Sequence, residues 1–264
     1  MKKVQLLLIF CCCTLIKQQA FAQELFYQVY QFETPYQGHI NLKSYDTYFA
    51  KSDESYEHFG KNIQDRHLYA NSFEAEFGVL DHLEIDAYAD FEKPANGNFK
   101  FIQTHFSALY RIGERFDNFV NIALYGEYYI PQKSYSTSQE AELRLILDKD
   151  FGDFRIAANP YVGKYTTGDE TKKLNPGISA GLYYRRLFAI QPGVEFYSDF
   201  NEQQDVIFPT LDVRFTPAIT LNVGAGFGLS KASDDLLFKS ILAFDIQAIR
   251  PSKLFHKPYH FLHS

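Results

Sequence analysis

Residues 119–147 read FVNIALYGEYYIPQKSYSTSQEAELRLIL, and the side chains change character at every second position. Val120, Ile122, Leu124, Gly126 and Tyr128 fall on one face, while Asn121, Ala123, Tyr125 and Glu127 fall on the other. After a polar stretch from Pro131 to Ser138, Ala141, Leu143, Leu145 and Leu147 alternate with Glu140, Glu142, Arg144 and Ile146. A period of two is the signature of a β-strand, in which successive side chains point to opposite sides of the sheet. Each run is about ten residues long, the length a tilted strand needs to cross a bilayer.

The pattern returns along the chain. Leu83, Ile85, Ala87, Ala89 and Phe91 alternate with Glu84, Asp86, Tyr88 and Asp90. The same reading predicts twelve strands, near residues 39–49, 66–79, 83–92, 100–112, 118–130, 139–148, 153–165, 175–187, 188–199, 205–215, 219–230 and 236–249. Their connections alternate in length. Short joins fall at Leu80–His82, Gly113–Asp117, Lys149–Gly152, around Leu187 and at Thr216–Ala218; longer polar ones fall at 50–65, 93–98, 131–138, 166–174, 199–204 and 231–235. Outer-membrane barrels have short periplasmic turns and longer outer loops, so the alternation predicts an all-β, transmembrane, up-and-down antiparallel β-barrel of about twelve strands.

The ends of the chain agree with export. Lys2 and Lys3, the apolar run Val4–Ile16 and Ala20-Phe21-Ala22 form a signal-peptide pattern over residues 1–22, leaving a barrel domain over 23–250 and a tail over 251–264. Leu8, Ile9 and Phe10 before the Cys11–Cys13 cluster are too bulky for a lipidation signal, and with all three cysteines in the signal the mature chain has none. Loss of Lys2, Lys3 and Lys17 takes the formal net charge from −6 to −9, which argues against a nucleic-acid partner. Outside the signal no apolar run reaches 18 residues, so spanning helices are excluded, and the 26 Phe and 19 Tyr suit pleated surfaces.

The competing reading is a soluble exported sandwich or lipocalin-like barrel, with the apolar face turned inward. Two features favour the membrane. The polar faces carry ionisable groups of both signs that could pair within a lumen; Glu84, Asp86, Glu127, Glu142, Arg144, Arg155, Arg185 and Arg214 are the predicted lumen-lining residues. Aromatic residues toward strand ends, among them Tyr27, Phe32, Phe49, Tyr128, Tyr129, Tyr161, Tyr165, Tyr183, Tyr184 and Phe188, suit interfacial girdles.

Phe73–Ile85, FEAEFGVLDHLEI, resembles the second hairpin of the outer-membrane barrels grouped as phenol-degradation MetA-pathway or transporter proteins. The resemblance is carried by Gly78, Asp81, Leu83 and Glu84 in a strand–tight turn–strand layout, and it implies a barrel of about twelve strands with a transport role. Such barrels commonly end on an aromatic residue read by the barrel-assembly machinery, whereas this chain continues from Arg250 through a basic, His-rich tail to Ser264.

One pattern suggests catalysis: His105 and Ser107 share a strand face, as in lipid-cleaving outer-membrane enzymes, and pairing about the 113–118 turn would set Glu127 across from His105. Against it, Ile102, Phe106, Ala108 and Tyr110 take the outer face, turning His105 inward, away from lipid. Acidic groups at Glu84, Asp86 and Asp90 and at Asp234 and Asp235 suit solvation or ion pairing better than a metal, and Gly224, Gly226 and Gly228 give interior space rather than a phosphate loop. The expected protein is a non-enzymatic outer-membrane barrel with no cofactor or metal. Its expected partners are outer-membrane lipid, the assembly machinery and a small solute. It is either a narrow passive channel or a closed structural or surface-binding barrel.

Overall fold

Alternation along each segment, with turn residues between segments, lets every strand pair with its sequence neighbours; closure of the last strand on the first removes the unpaired edges that a bilayer does not tolerate. The computed structural model describes residues 25–115, 119–168, 171 and 173–249. The predicted signal (1–22) and tail (251–264) lie outside them. The barrel strands are β1 Ile40–Lys51, β4 Tyr69–Leu80, β5 Leu83–Lys93, β6 Lys100–Ile112, β7 Asn121–Pro131, β8 Glu140–Phe151, β9 Phe154–Tyr165, β10 Leu174–Tyr184, β11 Ile190–Asp199, β12 Gln204–Thr216, β13 Ile219–Gly228 and β14 Leu236–Asp245. They form a closed antiparallel barrel of twelve strands, sealed by β1 against β14 from Asn41↔Asp245 to Lys51↔Leu236.

Each predicted strand has its counterpart, with differences at the ends. Residues 66–68 and 185–189 are turn or loop, and Ile246–Ile249 form a helical turn, so the last strand ends at Asp245. The first long connection, expected to be plain loop, contains a hairpin of β2 (Ser55–His58) and β3 (Lys61–Gln64). A bulge where the β5–β6 register shifts turns Ile102 from its expected outward position to a fully buried inward one.

The outward positions are apolar: Phe73, Phe106, Tyr110, Leu124, Leu143, Ile156, Leu182, Val194, Phe227 and Phe238 are all exposed. On a water-soluble protein such a surface would drive aggregation, whereas around a barrel it is the band that hydrocarbon covers. The band is broken at the β14–β1–β4 seam, where Asn71 donates to Ser44 (3.1 Å) and Asp46 (2.9 Å), and Ser240 donates to Asp46 (3.3 Å).

Several aromatics expected in outer girdles lie inside. Tyr27, Phe32 and Phe49 are buried, as are Tyr165 and Tyr183. Phe49, Tyr165 and Tyr183 occupy inward positions of β1, β9 and β10, whereas Tyr27 and Phe32 belong to a segment that sequence reading did not separate from the barrel. Residues 25–34 belong to no strand; they run through the lumen from the long-loop end to the short-turn end, emerge at Pro35, turn at Gly38 and enter β1. We call this segment the strap. Gly78 makes its exit possible: a Cβ there would lie 2.2 Å from the Tyr36 carbonyl oxygen, and Gly78 instead exchanges backbone hydrogen bonds with Gly38 and His39.

Candidate functional site

The strap has no backbone partners in a sheet, so its polar groups must be satisfied by wall side chains. Asn159 on β9 acts as a substitute strand: its Oδ1 accepts the Tyr30 N–H (2.7 Å) and its Nδ2 donates to the Tyr30 carbonyl (3.0 Å). Lys239 Nζ donates to the Tyr27 carbonyl (3.0 Å), Arg115 to the Phe32 carbonyl (3.0 Å), and the Phe32 N–H reaches Asp148 (3.4 Å).

Apolar anchors alternate with these contacts. The Tyr27 ring packs on Tyr197 and Phe208, with centroids 5.1 and 4.9 Å away. Space for Phe208 comes from Gly226, where a Cβ would lie 2.5 Å from the Phe208 ring. Tyr30 lies 4.4 Å from Tyr125 and donates its hydroxyl to it (2.9 Å), while Phe32 lies beneath Arg111 and Arg115 and packs with Leu109, Ala123 and Ile146.

At the short-turn end Glu33 pairs with Arg155 (2.8 Å) and Arg115 (3.3 Å), and Gln31 accepts a hydrogen bond from Arg155. Asp150 gathers Arg115 (2.7 Å), Arg185 (3.0 Å) and Arg155 (3.1 Å). The lower lumen is thus filled by chain and by ion pairs.

Above the strap, toward the long loops, a cavity of about 590 Å³ remains. Leu25, Gln28 and Tyr30 of the strap line one side of it; the wall opposite includes Tyr45, Tyr88, His105, Glu127, Tyr129, Glu140, Glu142, Arg144, Tyr161 and Tyr165; the β2–β3 hairpin and the loop 133–138 cover it. Glu92 on β5 latches the roof. It accepts hydrogen bonds from Tyr56 (2.7 Å) and Tyr135 (2.8 Å), and His58 Nδ1 lies 2.9 Å from it. Burial, followed by the nearby Glu92 carboxylate, pushes the Tyr135 hydroxyl well above its ordinary pKa, which keeps it a donor.

Of the sequence-predicted lumen residues, Glu84 and Asp86 are buried on β5, and Asp86 accepts the Ser107 hydroxyl. Glu127 pairs with His105 Nε2 (3.0 Å) and accepts from Tyr129 (2.7 Å). Glu142 pairs with Arg144 (2.7 Å), whose guanidinium also lies over the Tyr161 and Tyr30 rings. Arg155 and Arg185 belong to the lower ion-pair knot. Arg214 departs from expectation: it is exposed at the short-turn rim, over the Phe188 ring at 5.0 Å.

His105 and Ser107 are not arranged as base and nucleophile. The register sets Glu127 opposite Ser107 and Tyr129 opposite His105, two residues from the expected pairing. Ser107 donates to Asp86, and the imidazole is held between Asp90 (2.9 Å) and Glu127 (3.0 Å) and stacked on Tyr88 at 3.8 Å. Both side chains are buried in the lumen, away from lipid. Glu74, Glu76 and Asp86 bring carboxylate oxygens within 4.8 Å of one another, a spacing that suits a hard cation, but Lys43 Nζ already pairs with Glu74 (3.2 Å) and Glu76.

The strap was missed because Leu25–Phe32, LFYQVYQF, is as apolar and aromatic as the strands and falls within the barrel domain without an element of its own. The available signal was that twelve strands already close the barrel without this stretch.

An apolar outside, a charged inside, short turns at one end and long loops at the other define a bacterial outer-membrane β-barrel. Solved structures agree. An outer membrane channel from Pseudomonas putida F1 superposes with a TM-score of 0.58 at 12% identity over 83% of this chain and 99% of that one. The KdgM porin gives 0.56 at 8% identity over 77% and 98%, and a KdgM porin in complex with disordered oligogalacturonate gives 0.53 at 10% identity over the same shares. No protein-family model matches the chain. No curated protein matches it.

Proposed function

We propose that the protein is an outer-membrane channel for small solutes whose lumen is closed, in this conformation, by its own strap. The observation that carries this is the division of the lumen into a filled lower half and a 590 Å³ upper vestibule, within the usual size range of small-molecule sites. A strap would also serve a closed barrel, because twelve strands enclose more space than wall side chains fill; the open vestibule is what favours a solute pathway. The resemblance of Phe73–Ile85 to the MetA-pathway barrels and the likeness of the fold to a channel and porins support the same reading.

The charge of the lumen sets its selectivity. Nine carboxylates on the barrel strands are buried (Glu74, Glu76, Glu84, Asp86, Asp90, Glu92, Glu127, Asp148 and Glu195), against Arg144, Arg155 and Lys239 as buried Arg or Lys among the described residues. An acidic lumen concentrates cations and repels anions.

The test is planar-bilayer recording of the full protein beside a variant lacking residues 25–34. The full protein is expected to stay closed with rare openings, and the variant to show steady steps with a cation-selective reversal potential. A silent variant that retains the folded barrel would overturn the channel reading and leave a closed barrel.

A further inference from the structure

The vestibule is acidic in an uneven way. Glu127 is answered by His105, and Glu142 by Arg144. Glu140, which also lines the cavity, receives a side-chain hydrogen bond from the neutral Asn175 amide (3.2 Å), and no described lysine or arginine pairs with it. Its position in the sheet is specific: in register it stands between Tyr129 of β7 and Tyr165 of β9, and both rings line the same cavity. A carboxylate flanked by two aromatic residues, partly withdrawn from water, matches a cationic group, which gains from ion pairing and from the electron-rich ring faces together.

The neighbouring strand positions repeat this chemistry within the protein itself. Arg144 lies between Tyr161 and Tyr30, 4.6 and 5.0 Å from their centroids, and is bonded to Glu142. There the cation comes from the chain. At Glu140 the same acid–tyrosine set faces open volume.

We propose that the vestibule is a binding site for an organic cation, an ammonium-bearing solute seated against Glu140 between Tyr129 and Tyr165. The inference rests on reading the lumen as a solute pathway, and it names the class of solute that enters. An organic anion is disfavoured by Glu140 and by the acidic wall below it. A neutral saccharide could stack on the tyrosines and donate hydroxyls to the carboxylate, but it carries no charge to answer Glu140.

The experiment is isothermal titration of the purified full-length barrel with choline, with 3,3-dimethylbutan-1-ol as its neutral isostere, with maltose and with gluconate. Choline is expected to bind at least tenfold more tightly than the other three probes, and Glu140→Gln to weaken choline at least tenfold. Glu140→Gln keeps the Asn175 hydrogen bond, and its folded state is checked by heat-dependent gel mobility. Equal binding of the neutral isostere, preference for maltose or gluconate, or an unchanged Glu140→Gln protein would each overturn the proposal. Binding is read on the full-length barrel, whose vestibule is intact, and conductance on the strap-deleted one: steps in the deleted barrel with no choline binding to the full-length protein retire the site alone, and choline binding to the full-length protein with a silent deleted barrel retires the channel alone.

Discussion

Asn159 contributes more than its size suggests, because both ends of one amide hold both backbone groups of Tyr30. Replacement by Ala leaves a donor and an acceptor in the lumen without those partners, at about 1–3 kcal/mol for each buried group. Asn159→Ala is therefore expected to raise strap release by at least tenfold, read as opening frequency in single-channel records, with the folded barrel unchanged on gels. The sequence offers no sign of this role, since an Asn on an inward strand position looks like any polar lumen residue. For His105 the inward direction follows from strand parity and Glu127 is expected beside it, but the observed register, two residues away, and the second partner Asp90 are not fixed by parity.

Elements that build the vestibule hang on few contacts. The β2–β3 hairpin makes a two-stranded sheet of its own, separate from the barrel, and Glu92 ties it and the 133–138 loop to β5 through Tyr56, His58 and Tyr135. Glu92→Ala is expected to free this roof without loosening the wall, because the barrel closes through other strands. Protease added to intact cells should then cut within residues 52–66 severalfold faster than in the parent protein. Equal rates would mean that the roof is held by something other than Glu92. Strand pairs were legible because their period and their turn residues both repeat. The hairpin was not, since four-residue strands in a polar stretch carry too little alternation to stand out from loop.

For the whole molecule, the direction of the apolar face is what separates a membrane barrel from a soluble one. Leu145 lies outward at the centre of β8, paired with Leu124 on β7. In a bilayer, Leu145→Arg should cost about 2–4 kcal/mol, the range for a cation near the midplane. The expected readout is a lower urea midpoint for the barrel folded in lipid vesicles; an unchanged midpoint would count against lipid at that surface. The sequence made the strand number, the alternation of turns and the outward face readable, because these are periodic properties. It did not reveal that residues 25–34 fill the lumen, since a short aromatic-rich segment looks the same whether it packs at the rim or threads the interior.

Hydrogen–deuterium exchange of the folded, unmodified barrel tests the strap most directly. Tyr30 and Phe32 donate their amides to Asn159 and Asp148 inside the lumen, so a peptide covering residues 25–34 is expected to exchange as slowly as the barrel strands. Exchange of that peptide within seconds, as for a terminus swept by water, would contradict a strap-filled lumen.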